Sequence, residues 1–135
     1  MTDTMTETRS VVVEREIPFP PEKIWRALTS PHLLAEWLMK NDFEAVADHR
    51  FSFRGDWGSV ECRVLTIEPN KTLSYTWGSM GLDNIVTWTL TPSATGTHLR
   101  MEQTGFRPDQ TQAYQGAKYG WPKFLDNLQQ LLAHD

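Results

Sequence analysis

The sequence predicts an α+β fold in which a curved antiparallel β-sheet wraps around one long C-terminal helix. Apolar residues recur at every second position through most of residues 50–103, which is the period of half-buried strands. Short turns separate these strands, and short connections favour antiparallel neighbours. From residue 121 to residue 132 the apolar step changes to three and four, the pattern of an amphipathic helix. Such a helix is the one long element left to cover the apolar face of the sheet.

The chain begins with a polar segment, followed by one strand and two short helices. Residues 1–8 are Thr-rich and predict a disordered tail, so we expect a single domain over residues 9–135. Residues 9–17 are rich in β-branched side chains and predict the first strand. A proline at the first helical position is typical of helix starts, and Pro21 and Pro31 each predict one.

The strands that follow carry one irregularity. A weak strand is expected near residues 42–46, before the regular alternation begins, and turns are expected at 56–58 and 78–81. The apolar phase then shifts by one residue at Val64-Leu65, which predicts a β-bulge and a bend of the sheet.

Pro122 lies inside the predicted C-terminal helix. A proline there removes a helical hydrogen bond, so it predicts either a kink or the start of a new helical segment. In both cases residues 114–120, which are aromatic and small, are expected to be less firmly held than the residues after Pro122.

Composition excludes several classes of function. The 135 residues carry 13 Lys and Arg against 17 Asp and Glu, a net charge of −4 without a basic cluster, so no nucleic acid is expected. The four histidines show no ligand spacing with the single Cys62 or a carboxylate, so neither a metal nor a cofactor is expected. No signal peptide and no membrane-spanning run is found, which predicts a cytoplasmic protein without membrane contact.

The concave face of the sheet is expected to carry a set of large aromatic and apolar side chains. They are either the lining of a small-molecule pocket or ordinary core. Gln103 shares the strand parity of Met101 and is expected to point inward, where a buried amide needs partners. Its partner is either a ligand or pocket water, or the loop after Phe106. The candidate ligand-binding residues on the sheet are Phe51, Phe53, Tyr75, Trp77, Trp88, Met101 and Gln103.

The C-terminal helix is expected to supply the roof of the pocket. Its candidate ligand-binding residues are Tyr114, Ala117, Lys118 and Trp121. Lys118 is either at the pocket mouth or simply solvated, as most lysines are. No catalytic residue is expected, because the carboxylates of Glu61 and Glu102 lie on the opposite face of the sheet from the apolar residues.

Four groups of residues form a recognisable pattern along the chain. They are IPFPPEKIWRALTSP at 17–31, LAEW at 34–37, GTHLRMEQTGF at 96–106, and Gly120-Trp121 followed by Leu125 and Leu128. Together they resemble the START-like (SRPBCC) superfamily, and within it the bacterial members of the family named after the activator of the heat-shock-protein-ninety ATPase. The resemblance implies a helix-grip fold, with a cavity between the sheet and the C-terminal helix, and it implies no fixed catalytic set.

Three functions remain open from the sequence. The first is binding of a hydrophobic or aromatic small molecule, with residues 106–112 and 78–81 framing the entrance. The second is an enzyme of the cyclase or aromatase type acting on a polyketide-like substrate; a closed cavity with a buried polar pair would favour it. The third is a stress-related module that interacts with a chaperone, which an exposed apolar stripe would favour. A homodimer is also left open.

Overall fold

A computed structural model describes residues 8–56, 58–78 and 81–134. Residues 1–7 of the predicted tail at 1–8, and parts of two predicted turns, at 57 and 79–80, lie outside the described residues. The elements are β1 (Arg9–Ile17), α1 (Pro21–Thr29), α2 (Pro31–Trp37), β2 (Lys40–Asn41), β3 (Arg50–Gly55), β4 (Gly58–Glu68), β5 (Thr72–Trp77), β6 (Asn84–Pro92), β7 (Thr97–Phe106) and α3 (Thr111–His134).

Within this described part of the chain, seven strands form one antiparallel sheet in the order β1-β7-β6-β5-β4-β3-β2. Helix α3 packs against β1 and β7 of the sheet and against the two short helices α1 and α2. Leu125, Leu128 and Leu132 are at most 1% exposed, so the second half of α3 is part of the core. This arrangement confirms the predicted α+β helix-grip fold.

Helix α3 runs without interruption through Pro122, so the proline does not start a separate helix. It leaves the carbonyl of Lys118 without its helical hydrogen bond, because proline has no N–H to donate. None of residues 111–120 is fully buried, whereas Trp121 and three leucines after it are. The two halves of α3 therefore differ in how much apolar surface anchors them.

The predicted bulge is confirmed, because the register between β4 and β5 shifts between Val64 and Thr66. The predicted weak strand at 42–46 is wrong: β2 is only two residues long and ends at Asn41. The side chains of Asn41 and Asp42 accept hydrogen bonds from the backbone amides of Phe43 and Ser52, at 3.1 and 2.8 Å. These side-chain bonds replace the ladder that would have continued the strand.

An ionic cluster lies on the exposed face of the sheet, where β1 and β7 pair. His98 Nε2 lies 2.8 Å from a carboxylate oxygen of Glu14, and His98 Nδ1 lies 3.4 Å from one of Glu16. The hydrogen bond to Glu14, and then the charges of Glu14 and Glu16, raise the pKa of His98 above its ordinary 6.5.

We expect His98 to titrate above pH 6.5, and Glu14→Gln to move its pKa back toward that value. Since the pKa is raised in the folded state, its contribution to stability is full below about pH 6.5 and is lost as the pH rises through the folded pKa. An NMR titration of the His98 ring measures the pKa directly. Glu44→Gln, in the loop between β2 and β3, is the control and should leave the pKa of His98 unchanged. A wild-type His98 with a pKa of 6.5 or below would contradict the expectation.

Candidate functional site

A partly open cavity of about 320 Å³ lies between the first half of α3 and strands β4, β5 and β7. This volume is near the lower end of the range of about 300–1,000 Å³ that is usual for small-molecule sites. The lining side chains are all uncharged and mostly apolar. They are Met39, Val60, Trp77, Leu82, Gln103, Ala113, Gly116, Ala117, Gly120, Trp121 and Phe124.

Small residues on one face of α3 form the roof of the cavity. Ala113, Gly116, Ala117 and Gly120 follow one another at steps of three, one and three, which keeps them on one side of the helix. A Cβ atom placed on Gly116 or Gly120 would meet no atom within 4 Å beyond the adjacent residues and the nearby backbone of α3 itself. The space therefore exists because this stretch of α3 carries almost no side-chain volume.

A buried polar chain crosses from α3 to the sheet below. Trp121 Nε1 donates to Gln103 Oε1 at 2.7 Å, and Gln103 Nε2 donates to Asn84 Oδ1 at 2.7 Å. Asn84 Nδ2 has no hydrogen-bond partner among the described residues. Gln103 points inward as its strand parity predicts, at 2% exposed. The side-chain hydrogen bonds of Gln103 go to Trp121 on α3 and Asn84 on β6 rather than to the loop after Phe106. Gln103 also lines the cavity.

Two indole rings form the aromatic wall. The ring centroids of Trp77 and Trp121 lie 5.3 Å apart at an angle of 55°, and both rings line the cavity. The other candidate sheet residues lie beneath this wall in the core and do not line the cavity, at 3% exposed or less: Phe51, Phe53, Tyr75, Trp88 and Met101. In this layer Trp88 Nε1 donates to the hydroxyl of Tyr75 at 2.9 Å, and burial raises the pKa of Tyr75.

Tyr114 and Lys118 lie away from this cavity. They line a separate groove of about 440 Å³ between α3 and β1. The Tyr114 ring packs edge-on against Phe106, with centroids 5.5 Å apart, and the Arg9 guanidinium lies 5.2 Å from its centroid. Tyr114 thus anchors the start of α3 to the sheet. Of the candidates from the sequence, the structure brings together Trp77, Gln103, Ala117 and Trp121 at the cavity.

The two segments that the sequence predicts at the entrance touch each other beside the cavity. Gln110 Nε2 donates to the carbonyl of Gly81 at 3.3 Å, and Gln110 Oε1 accepts from the backbone amide of Arg107 at 2.8 Å. Leu82 and Ala113, the residues that follow each segment, line the cavity. The side chain of Gln110 therefore ties the β7–α3 loop to the β5–β6 turn.

Titratable and metal-binding groups are not concentrated at this site. The described residues that line the cavity include no Asp, Glu, His, Lys, Arg, Cys or Tyr. In 8–56, 58–78 and 81–134 no group of His, Cys, Asp and Glu side chains is arranged to hold a metal ion. Cys62 is buried in β4, and burial, followed by the charges of Glu61 and Asp42, raises the pKa of its thiol. The described helices include none that is long and apolar enough to cross a membrane.

Sequence reasoning did not select several of the residues that shape the site. Asn84 is the most important of them. Its position on β6 could have indicated that it points inward, because it is two and four residues before the buried Val86 and Trp88. Val60 is likewise in phase with Cys62 and Val64 on β4. The other lining residues that were not selected come from loops or from the helical roof: Met39, Leu82, Ala113, Gly116, Gly120 and Phe124.

Comparison with known proteins places the chain among related folds. Residues 18–133 match the family model described as "Activator of Hsp90 ATPase homolog 1-like protein". The structure of protein MLL2253 from Mesorhizobium loti has 61% sequence identity and a TM-score of 0.91, over 93% of this chain and 98% of that one. Protein BH1534 from Bacillus halodurans has 25% identity and a TM-score of 0.82, over 92% of this chain and 96% of that one.

A further structural relative is DynU16, described as a putative protein in the dynemicin biosynthetic locus. It has 26% identity and a TM-score of 0.82, over 92% of this chain but only 47% of that one. A comparison with curated proteins gave no significant match.

Proposed function

Because this chain belongs to the family of activator of Hsp90 ATPase homolog 1-like proteins and has an uncharged cavity beneath α3, we propose that it binds a small, mostly apolar and aromatic molecule. The cavity is the observation that carries the proposal. Its walls are apolar and aromatic, with one buried amide to orient a ligand, which is the usual composition of a small-molecule site.

Each part of the cavity has a distinct task in this proposal. Trp77 and Trp121 offer indole rings against which a flat ring can stack, an arrangement that aromatic pairs favour. Ala117 and its small neighbours on α3 leave the space that the ligand occupies. Gln103 supplies a polar group on the sheet side. Phe51, Phe53, Tyr75, Trp88 and Met101 hold these groups in place from the layer beneath.

Tryptophan fluorescence tests the proposal, since two of the six tryptophans line the cavity. We expect apolar dyes and aromatic compounds to bind and to quench or shift the emission. Trp77→Phe should remove much of that change, whereas the control Trp25→Phe, a change on α1 away from the cavity, should not. If a broad panel of hydrophobic dyes and aromatic compounds neither binds nor alters the emission of the native protein, the proposal fails.

Hydrogen exchange tests how a ligand enters. Amides in 106–120 should exchange well before those in 123–132, because no residue of 111–120 is fully buried while the later leucines are. A bound aromatic compound should slow exchange in the first segment selectively, since it fills the space under that segment. Equal protection of the two segments would contradict a roof that opens at its first half.

A cyclase or aromatase is the second candidate, and the buried pair of Gln103 and Asn84 is the observation that favours it. Both side chains are amides, which orient a carbonyl group without taking or giving up a proton at neutral pH. Such a site would act by holding a flexible substrate in one folded shape. Chromatography with mass spectrometry of a polyketide-like compound after incubation would show a new species, either an isomer or a product that has lost water, if turnover occurs, and the unchanged compound if the protein only binds.

A chaperone-binding module receives less support from the surface. The large apolar side chains that are exposed among the described residues are Val12, Val46, Ile85 and Tyr119. They lie on β1, on the loop before β3, on β6 and on α3, respectively, so they do not line up along one element. A continuous apolar patch is the usual sign of a protein-binding surface.

A further inference from the structure

We infer that the ligand of this cavity is an uncharged molecule with a hydrogen-bond-accepting oxygen, of the ketone or similar carbonyl class, and that Gln103, held in place by Asn84, donates a hydrogen bond to it on the sheet side. The inference rests on the proposed function and names the chemical class of the ligand. It is carried by a surplus of buried donors beside an uncharged cavity.

The hydrogen-bond inventory of the polar chain shows this surplus. Trp121 contributes one N–H, and each amide contributes two. The two bonds of the chain use the Trp121 N–H and one N–H of Gln103. Asn84 Nδ2 has no partner in the described residues, although Asn84 is 0% exposed. Buried polar groups are normally paired, so this cluster lacks an acceptor rather than a donor.

Rotating the amide groups of Gln103 and Asn84 by 180° cannot remove this surplus of N–H donors. An indole N–H only donates, so Gln103 must present its oxygen to Trp121 and its nitrogen to Asn84. Asn84 must in turn present its oxygen to Gln103, which leaves Asn84 Nδ2 as the unpaired end. Trp121 thereby fixes the direction of the whole chain of bonds.

The backbone beside Asn84 is packed so closely that its amide stays in place. A Cβ atom on Gly105 would lie 2.9 Å from the carbonyl oxygen of Asp83 and 3.1 Å from Asn84 Nδ2, and the φ of Gly105 is +102°. No other residue fits this position without strain. On its other side Asn84 pairs in register with Trp77, which lines the cavity. Gln103 therefore meets the cavity directly, and Asn84 lies immediately behind it.

The lining selects against a charged acceptor. A carboxylate in the cavity would lose its hydration, and no lining side chain carries a compensating positive charge. A ketone oxygen accepts hydrogen bonds without that cost. It can accept the remaining N–H of Gln103, which lines the cavity.

Matched ligand pairs test the inference on the wild-type protein. The probes are fluorenone against fluorene and tetralone against tetralin, with fluorene carboxylate as the charged member, and their dissociation constants are measured by titration calorimetry. The dissociation constant of each ketone should be lower than that of its hydrocarbon by a factor of about ten or more. A site that donates hydrogen bonds discriminates against a ligand that lacks the acceptor. The carboxylate should bind more weakly than the ketone.

Variants test whether the preference for ketones depends on the side chain of Gln103. Gln103→Met should bring the affinities of ketone and hydrocarbon together, whereas Glu102→Gln, the adjacent residue on the opposite face of β7, should keep the wild-type preference. If Gln103→Met does not fold, the wild-type ligand pairs decide alone. Ketone and hydrocarbon binding equally well would overturn the inference and leave the proposed function standing. Failure of all the probes to bind would overturn the proposed function itself, and a preference that persists in Gln103→Met would place the oxygen elsewhere.

Discussion

Gly120→Leu should lower the affinity for apolar ligands by roughly 10- to 100-fold, the effect expected when extra methyl groups overfill a packed space. Gly120 lines the cavity, and a Cβ there meets no atom within 4 Å beyond the adjacent residues and the nearby backbone of α3, so the new side chain enters space that a ligand would use. Stability should not fall, because leucine favours a helix interior over glycine by about 0.5–1 kcal/mol.

The expected result is thus a protein that unfolds at the same or a higher temperature but binds poorly. Calorimetric titration with fluorenone and thermal unfolding followed by circular dichroism give the two quantities. Gln115→Leu is the matched control: it adds the same side chain to an exposed position of the same helix that does not line the cavity. If Gly120→Leu binds as tightly as the wild type, the space beneath α3 is not where the ligand lies.

Leu128→Ala should lower the free energy of unfolding by about 2–5 kcal/mol, the usual cost of truncating a large core residue. Leu128 is 0% exposed and belongs to the core cluster, in the half of α3 after Pro122. The loss combines the transfer free energy of the removed groups with the cavity that they leave.

Urea denaturation measures the change, and Leu131→Ala gives the comparison. Leu131 is the same residue type on the same helix but only partly buried, so its truncation should cost clearly less. A loss below about 1 kcal/mol for Leu128→Ala would show that this face of α3 is not core.

Gly120→Leu and Leu128→Ala test the two halves of α3 separately. The half after Pro122 is held by leucines in the core, whereas none of residues 111–120 is fully buried and Tyr114 packs there on Phe106. We therefore expect changes in the first half to act mainly on binding and changes in the second half mainly on stability.

Much of the fold follows from the local pattern of the sequence. The alternation of residues along β6 and β7 places Trp88 and Gln103 inside, and the three- and four-residue steps of α3 place Leu125 and Leu128 inside. The phase shift at Val64 likewise appears in the register of β4 and β5. These features depend on backbone geometry within one element, which periodicity reports directly.

The sequence alone therefore determined the α+β architecture, the inward side of the strands from β3 to β7 and the presence of a helix with one firmly packed half. The tertiary structure decided which inward residues border open space. Tyr75 and Trp77 share a strand and a face, yet only Trp77 lines the cavity. The hydrogen-bonded chain from Trp121 through Gln103 to Asn84 joins three elements far apart in the sequence. Periodicity within one element cannot report such a junction, because it depends on how the elements pack against one another.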